Sequence, residues 1–327
     1  MKAFVIESGK LKVKNMNEPQ AKAGEVVVAL KTAGLNRRDL GLPKRYGDRP
    51  EELIIGSDGA GIIEVIGEGV SRFSVGDEVL INPALRWYDN SDAPPQGFDI
   101  LGMPDHGTFA EKIALSAEQI EPKPDYLSWE EAGSLALAAM TGYRALFTKG
   151  ELKKGDTVFI PGAGSGVATY LIQFAKNAGA KVIVTSRSKE KLEQAKRLGA
   201  DIAIDTASDW KEELAEETID LVIDSVGRAT FNRSLEVLKK GGRIVIFGAT
   251  TEDNVDFNLR QFFYGQYQLY GSTMGSRDEL RAMLSHIEEH GTHSLVDKVF
   301  RLEDAQEAFD YLAEGKQFGK VVLQISE

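Results

Sequence analysis

The residues best suited by type and spacing to do chemistry lie in the stretch FIPGAGSGVATYLIQFAKNAGAKVIVTS. Gly162, Gly164 and Gly166 make a tight turn after the apolar strand TVFI. Val167, Leu171, Phe174 and Ala178 follow at helical spacing, and Gly179 is placed to end the helix. A strand, a glycine turn and a helix N-terminus form a cradle for a pyrophosphate, because backbone N–H groups and the helix dipole both face the anion. A second strand, KVIVTS, completes a βαβ unit of about 30 residues, the context such a loop requires. The match to G-x-G-x-x-G is not literal, since the sixth place from Gly162 is Val167. Gly164, Ser165, Gly166 and Val167 are therefore read as the pyrophosphate-facing turn.

The second strand selects the dinucleotide. Enzymes that take NAD carry an acidic residue at its end, which holds the ribose 2′-hydroxyl. Here Ser186 stands in that place, followed by Arg187, Lys189 and Lys191. A hydroxyl donor and a guanidinium fork suit a 2′-phosphate, which a carboxylate would repel. The reading is NADP(H), with Ser186, Arg187 and Lys191 as its contacts. Gly248 and Ser272 end later strands on the edge where α/β folds bind ligands.

A second glycine-rich stretch, GSDGAG at 56–61, is followed by IIEVIGEGV, which is β-branched and broken by glycine. No helix begins there, so it reads as a turn between strands. HIEEH, His286 to His290, fits an inverted zinc-protease spacing. Its helix carries the apolar stripe Leu280, Met283, Leu284 and Ile287, and Gly291 follows it. The simpler reading is an exposed helix end. His106 and His293 stand in turn-like stretches with no partner visible in the sequence.

Two kinds of texture must position these residues. Up to about residue 124 the chain is β-rich, with the runs GEVVVALKTAG, GIIEVIGEGV and VGDEVLI closed by glycine. SWEEAGSLALAAMTGYRAL is helical, with Ser128 and Glu131 spaced as a capping box. From Asp156 strand and helix patterns alternate, FNRSLEVLKKGG being one of the helical ones, which means a parallel sheet. The fold class is α/β, with a β-rich domain at 1–124, a dinucleotide-binding doubly wound domain at 125–272 and a tail at 273–327. The tail ends in the strand KVVLQI and is expected to rejoin the first domain.

The 327-residue chain is long enough for two domains. It has no cysteine, which excludes disulfides, thiolate metal sites and a cysteine nucleophile. A net charge of -11 argues against non-specific nucleic-acid binding. No apolar run approaches the ~18 residues of a membrane span, and the N-terminus lacks the features of a signal peptide. A cytoplasmic location is the simplest reading.

Together, and in this order, AGLNRRDL, GSDGAGIIEVIGEGVSRFSVGDEVL, HGTFAEK, AAMTGYRAL and the loop after FIPG resemble the medium-chain dehydrogenase/reductase superfamily, most closely its zinc-free quinone oxidoreductase-like branch. The resemblance covers essentially the whole chain. It implies a GroES-like catalytic domain, an inserted Rossmann domain and an active-site cleft between them. Zinc members have Gly-His-Glu where this chain has Gly56-Ser57-Asp58, and Cys at the place of Asn36. Neither a serine hydroxyl nor an asparagine amide replaces those ligands well, so no metal is expected. The lobe that holds a structural zinc in zinc members is kept between about Asn82 and His106 without cysteine, and its core is expected to rest on Trp87, Tyr88 and Phe98.

The resemblance places Asn36 to orient substrate or nicotinamide, against a local turn role. Tyr46 is placed to donate to the acceptor oxygen or to cover the cleft. Ser57 is a further donor, and Thr141 matches a residue that touches the nicotinamide. The expected activity is hydride transfer from NADPH to a quinone or α,β-unsaturated carbonyl, acceptors that need little Lewis-acid help. An NADP-dependent alcohol dehydrogenase and a non-catalytic nucleotide-binding protein are the alternatives. The only partners expected are the small-molecule acceptor and a second copy of the chain, since family members often dimerise through the last Rossmann strand, here YQLYGST.

Overall fold

The computed structural model describes residues 1–326. The chain forms two compact units: residues 1–140 together with the segment from Gly275 onward, and Thr141–Met274. The first unit thus takes in residues 125–140 as well. Thr32 Oγ1 donates to the carbonyl of Trp129 at 2.5 Å, and Leu137 N–H donates to Asp58 Oδ1 at 2.7 Å, which ties this stretch to the β-rich part.

The first unit is built on the strand Glu25–Gly34. On one side it pairs antiparallel with Ala60–Ile66, which leads to Glu78–Ile81 and Ile120–Pro122. On the other it pairs with Lys320–Gln324, which carries Val296–Arg301 in parallel. Lys112–Ser116 pairs along its first half. The expected return of the C-terminal tail is therefore a strand within this sheet. Val26, Val28 and Leu30 point to one side of the central strand, as its two-residue period requires, and pack with Ile63, Val79, Ile81 and Ile113. Phe4, Ile6, Leu35, Leu42, Phe109 and Phe309 form a second core. Gly56 adopts φ 99°, and a Cβ there would come within 2.4 Å of the Phe109 ring, so the first residue of GSDGAG is fixed by both backbone and space.

The lobe at 82–106 is held by packing and polar contacts. Trp87 and Phe98 meet edge to face at 5.3 Å. Arg86 reaches Asp99 and Asp105. The helix Arg277–His290 docks here through its N-terminal end. The N–H groups of Arg277 and Asp278 donate to the carbonyls of Trp87 and Tyr88 at 2.8 and 3.1 Å. The Arg277 guanidinium lies 4.8 Å from the Tyr88 ring centre.

The second unit is a six-stranded parallel sheet. Its order is Ile202–Asp205, Lys181–Ser186, Thr157–Ile160, Ile219–Asp224, Leu238–Ile246 and Gln268–Gly271. In sequence order that is 3-2-1-4-5-6, the Rossmann arrangement, with its switch point between the first and fourth strands. Thr157–Ile160 is buried throughout, as a central parallel strand must be. The segment LEVLKK does not continue as helix. The helix Arg228–Val237 stops, and Leu238 pairs with Ile219 in the sheet. Among the described residues no helix is long and apolar enough to cross a membrane.

Candidate active site

In the first unit the central strand ends at Gly34, and Asn36 caps a 3-10 turn over Arg37–Gly41. Asn36 N–H donates to Asp39 Oδ2 at 2.7 Å, closing a capping box. The Asn36 side chain turns inward. Its Nδ2 donates to Asp58 Oδ2 at 2.9 Å, and its Oδ1 accepts from the Lys320 ammonium at 2.7 Å. Lys320 also donates to the Leu35 carbonyl at 2.9 Å and to Asp58 Oδ2 at 3.3 Å, which uses all three of its N–H bonds. Asp58 Oδ1 accepts from Leu137 N–H at 2.7 Å. Lys320 is 3% exposed and Asp58 fully buried, so this is a dry ion pair bound on every side.

A second layer sits beside it. Arg38 Nη1 donates to Ser57 Oγ at 2.7 Å and to the Leu101 carbonyl at 3.1 Å, and Ser57 Oγ donates to the same carbonyl at 2.7 Å. Burial pushes the Asp39 carboxyl up to about 6, although the Arg38 guanidinium and the Asn36 N–H both favour its charged form. Its Oδ1 is buried with no hydrogen-bond partner and lies 3.8 Å from Arg38 Nη1.

Asn36 and Ser57 thus belong to adjoining networks linked by the backbone on either side. The Asn36 amide is wholly engaged within the protein. Tyr46 stands apart: its hydroxyl donates to the Glu51 carbonyl at 3.1 Å, and its ring is buried in the core with Leu42 and Phe309. Lys320 and Arg38 were not singled out in the sequence. Arg38 had a signal in the doubled basic residue after Asn36, whereas Lys320 opens an ordinary-looking strand.

At the place of the zinc ligands stand an amide and a carboxylate around the Lys320 ammonium, and beside them a hydroxyl held by Arg38. That set does not fit zinc, which takes thiolate or imidazole and would be repelled by Lys320. Among the described residues no group of three or more His, Asp or Glu side chains is arranged to hold a metal. His286 and His290 stack at 4.4 Å in the last turns of their helix, and Gly291 closes it in the left-handed conformation. The two histidines read as partnerless do have partners. His106 Nδ1 accepts from Ile54 N–H at 3.1 Å, and His293 Nδ1 lies 2.7 Å from Glu131 Oε1. Both partners come from segments distant in sequence.

In the second unit the cradle is built as its sequence requires. Gly162 and Gly164 take φ 84° and 116°. Ser165 caps the helix Gly166–Asn177, its side chain accepting from Ala168 N–H at 3.1 Å, which leaves the N–H groups of Gly166 and Val167 in the uncapped first turn. Ser186 ends its strand with Oγ accepting from Ser188 N–H at 3.2 Å, and Arg187 beside it is exposed with no ion pair among the described residues. Lys191 lies in the first turn of the helix Lys189–Leu198. Gly248 follows the fifth strand and Ser272 the sixth. The Ser272 Oγ is buried without a hydrogen-bond partner. Thr141, at the start of this unit, is buried. These strand-end positions all lie on the carboxyl edge of the sheet, where α/β folds bind ligands.

Asp224 ends the fourth strand and carries no motif signal in the sequence. It accepts from Val226 N–H at 2.7 Å, Gly227 N–H at 3.1 Å and Thr230 Oγ1 at 2.7 Å, and so shapes the loop facing the glycine turn. A Cβ on Gly162 would meet Val226 at 3.1 Å. The residues fit a dinucleotide: a glycine turn, uncapped helical N–H groups and an unpartnered hydroxyl.

Comparison with known proteins agrees with both units. Residues 22–125 match the alcohol dehydrogenase GroES-like domain, and residues 166–289 match the zinc-binding dehydrogenase family. A zinc-type alcohol dehydrogenase-like protein of Schizosaccharomyces pombe is 37% identical over 92% of this chain and 91% of its own. The crystal structure of an NAD-dependent alcohol dehydrogenase superposes with a TM-score of 0.94 at 36% identity, covering 100% of both chains. A 2-octenoyl-CoA carboxylase reductase, solved in complex with NADP and 2-octenoyl-CoA, superposes with a TM-score of 0.88 at 26% identity, covering 99% of this chain and 87% of that one.

Proposed function

Since the chain belongs to the medium-chain dehydrogenase/reductase superfamily of nicotinamide-dependent oxidoreductases, we propose that it is a zinc-independent, NADPH-dependent reductase of α,β-unsaturated carbonyls or quinones that works in the cytoplasm. The observation that carries this reading is the Lys320 ammonium bonded to Asn36 and Asp58. Without a metal to stabilise an alkoxide, the acceptor must already be electrophilic. The likeness to an enoyl-CoA reductase supports the acceptor class.

When bound, the nicotinamide supplies the hydride. The chain's residues hold and position. The turn Gly164–Val167 offers N–H groups to the pyrophosphate, and Ser186, Arg187 and Lys191 offer a hydroxyl and two cations to the 2′-phosphate. Thr141, Gly248 and Ser272 complete the cofactor set. Hydride added to the β-carbon moves the double-bond electrons onto the carbonyl oxygen, and a proton from water then completes the α-carbon. Asn36 is fixed by Lys320 and Asp58, and Ser57 is fixed by Arg38, so this wall keeps its shape as the charge on the oxygen grows.

Steady-state oxidation of NADPH and NADH with an aromatic quinone and a simple enone, with EDTA throughout, tests this. The expected result is turnover with NADPH, much less with NADH, and indifference to chelator. Loss of activity with EDTA, or turnover of plain alcohols with NAD instead, would favour an alcohol dehydrogenase like the structure of similar fold.

The same reading includes a homodimer. Gln268–Gly271 is the edge strand of its sheet, Leu269 on it is 42% exposed, and Phe263 and Tyr264 just before it are 53% and 66% exposed. Light scattering after size exclusion should give twice the chain mass of 35.8 kDa. A particle of the single-chain mass would refute the dimer.

A further inference from the structure

The segment that carries Asn36 continues as RRDLGLPKRYGDR, with Arg37, Arg38, Lys44, Arg45 and Arg49 against Asp39 and Asp48 in a chain of net charge -11. Several surface cations elsewhere in this unit meet carboxylates: Lys2 pairs with Glu303, Lys14 with Glu52, and Lys112 with Glu18 and Glu64. Arg37, Lys44 and Arg45 are exposed and make no ion pair among the described residues. Arg45 lies close enough to Arg38 for the two charges to oppose each other. Asp39 Oδ2 accepts from the Asn36 N–H, and its Oδ1 lies 3.8 Å from Arg38 Nη1, so one carboxylate stands against the paired Arg38 and Arg45 charges.

Arg38 itself is anchored by one nitrogen. Nη1 holds Ser57 and Leu101, and Nε and Nη2 bond to nothing in the described protein, although the side chain is only 14% exposed. A guanidinium held at one end presents its other N–H groups in a fixed direction. Crowded like charges cost free energy unless an anion neutralises them.

We propose that the segment Arg37–Arg49 binds the anionic carrier of the acceptor, a phosphate-bearing thioester of the coenzyme A type, with Arg38 and Arg45 as its inner members and Arg37 and Lys44 at the rim. The acceptor part rests on the reductase reading above. The inference narrows it from enones and quinones in general to enoyl thioesters on a polyanionic carrier.

The test compares crotonyl-CoA with the crotonyl thioester of N-acetylcysteamine, which has the same acyl group and no phosphate. Both are measured on the intact protein and on the Lys44→Gln/Arg45→Gln variant, at low salt and near 0.3 M. Both side chains are exposed, so folding is not at stake. The intact protein should favour the CoA ester by about tenfold or more at low salt, and salt and the double substitution should each erase most of that preference. Equal esters in the intact protein, or equal losses on both esters in the variant, would overturn the inference. Calorimetric binding of free coenzyme A to the NADPH-saturated protein gives a readout that needs no turnover, with about tenfold weaker binding expected for the variant. If neither ester is reduced, the reductase reading falls while this binding result still decides the site. Unchanged binding in the variant would sink it.

Discussion

Lys320→Met will destabilise the protein by about 3–5 kcal/mol, the loss typical when one partner of a buried ion pair is removed. Asp58 keeps its bonds to the Asn36 amide and the Leu137 N–H, but its charge is left unbalanced in a place without water. The Leu35 carbonyl and Asn36 Oδ1 lose their donor as well. Asp58→Asn in the same chain should recover part of the loss, because the stranded charge is gone, and a double-mutant cycle by urea denaturation measures the coupling. A single-variant loss below about 1 kcal/mol would mean that the ammonium is not the partner on which this wall depends.

The other large effect is on coenzyme choice. Ser186→Asp should shift the ratio of kcat/KM for NADPH over NADH by about 100-fold toward NADH, since like charges brought together cost several kcal/mol. The serine is 6% exposed at a strand end, and its Oγ accepts from Ser188 N–H, a bond that an aspartate oxygen also accepts. The substitution therefore changes charge at little cost in fold. An unchanged ratio would remove the 2′-phosphate from this position and with it the role of Arg187.

What could be read in advance follows the range of the interactions involved. The capping box of Ser128 and Glu131 is local and forms as written, the serine side chain accepting from Glu131 N–H and the carboxylate from Ser128 N–H. The glycine turn and its helix are likewise set by neighbouring residues, and the strand runs from Asp156 onward predict the parallel sheet. The polar network behind Asn36 is not local. Lys320 reaches Leu35 across 285 positions, and only the pairing of Lys320–Gln324 with Glu25–Gly34 brings them together. In sequence GKVVLQI shows an apolar strand, and nothing marks its lysine as buried. Tyr46 shows the converse. Its place in the motif is suggestive, but its hydroxyl is satisfied five residues away by Glu51.

The path of the chain through its two units also sets an order of assembly. The strand Lys320–Gln324 sits between Glu25–Gly34 and Val296–Arg301 in one sheet, while Thr141–Met274 forms a separate body inserted between them. On a chain emerging from the ribosome, the inserted body has all its strands in hand while the β-rich unit still lacks one interior strand. Until that strand arrives, Glu25–Gly34 lacks its partner along Thr32–Gly34 and Asp58 has no cation beside it. The part that makes the cofactor cradle can thus be complete before the part that would receive the acceptor, and a single late segment supplies the missing backbone partner and the missing charge together.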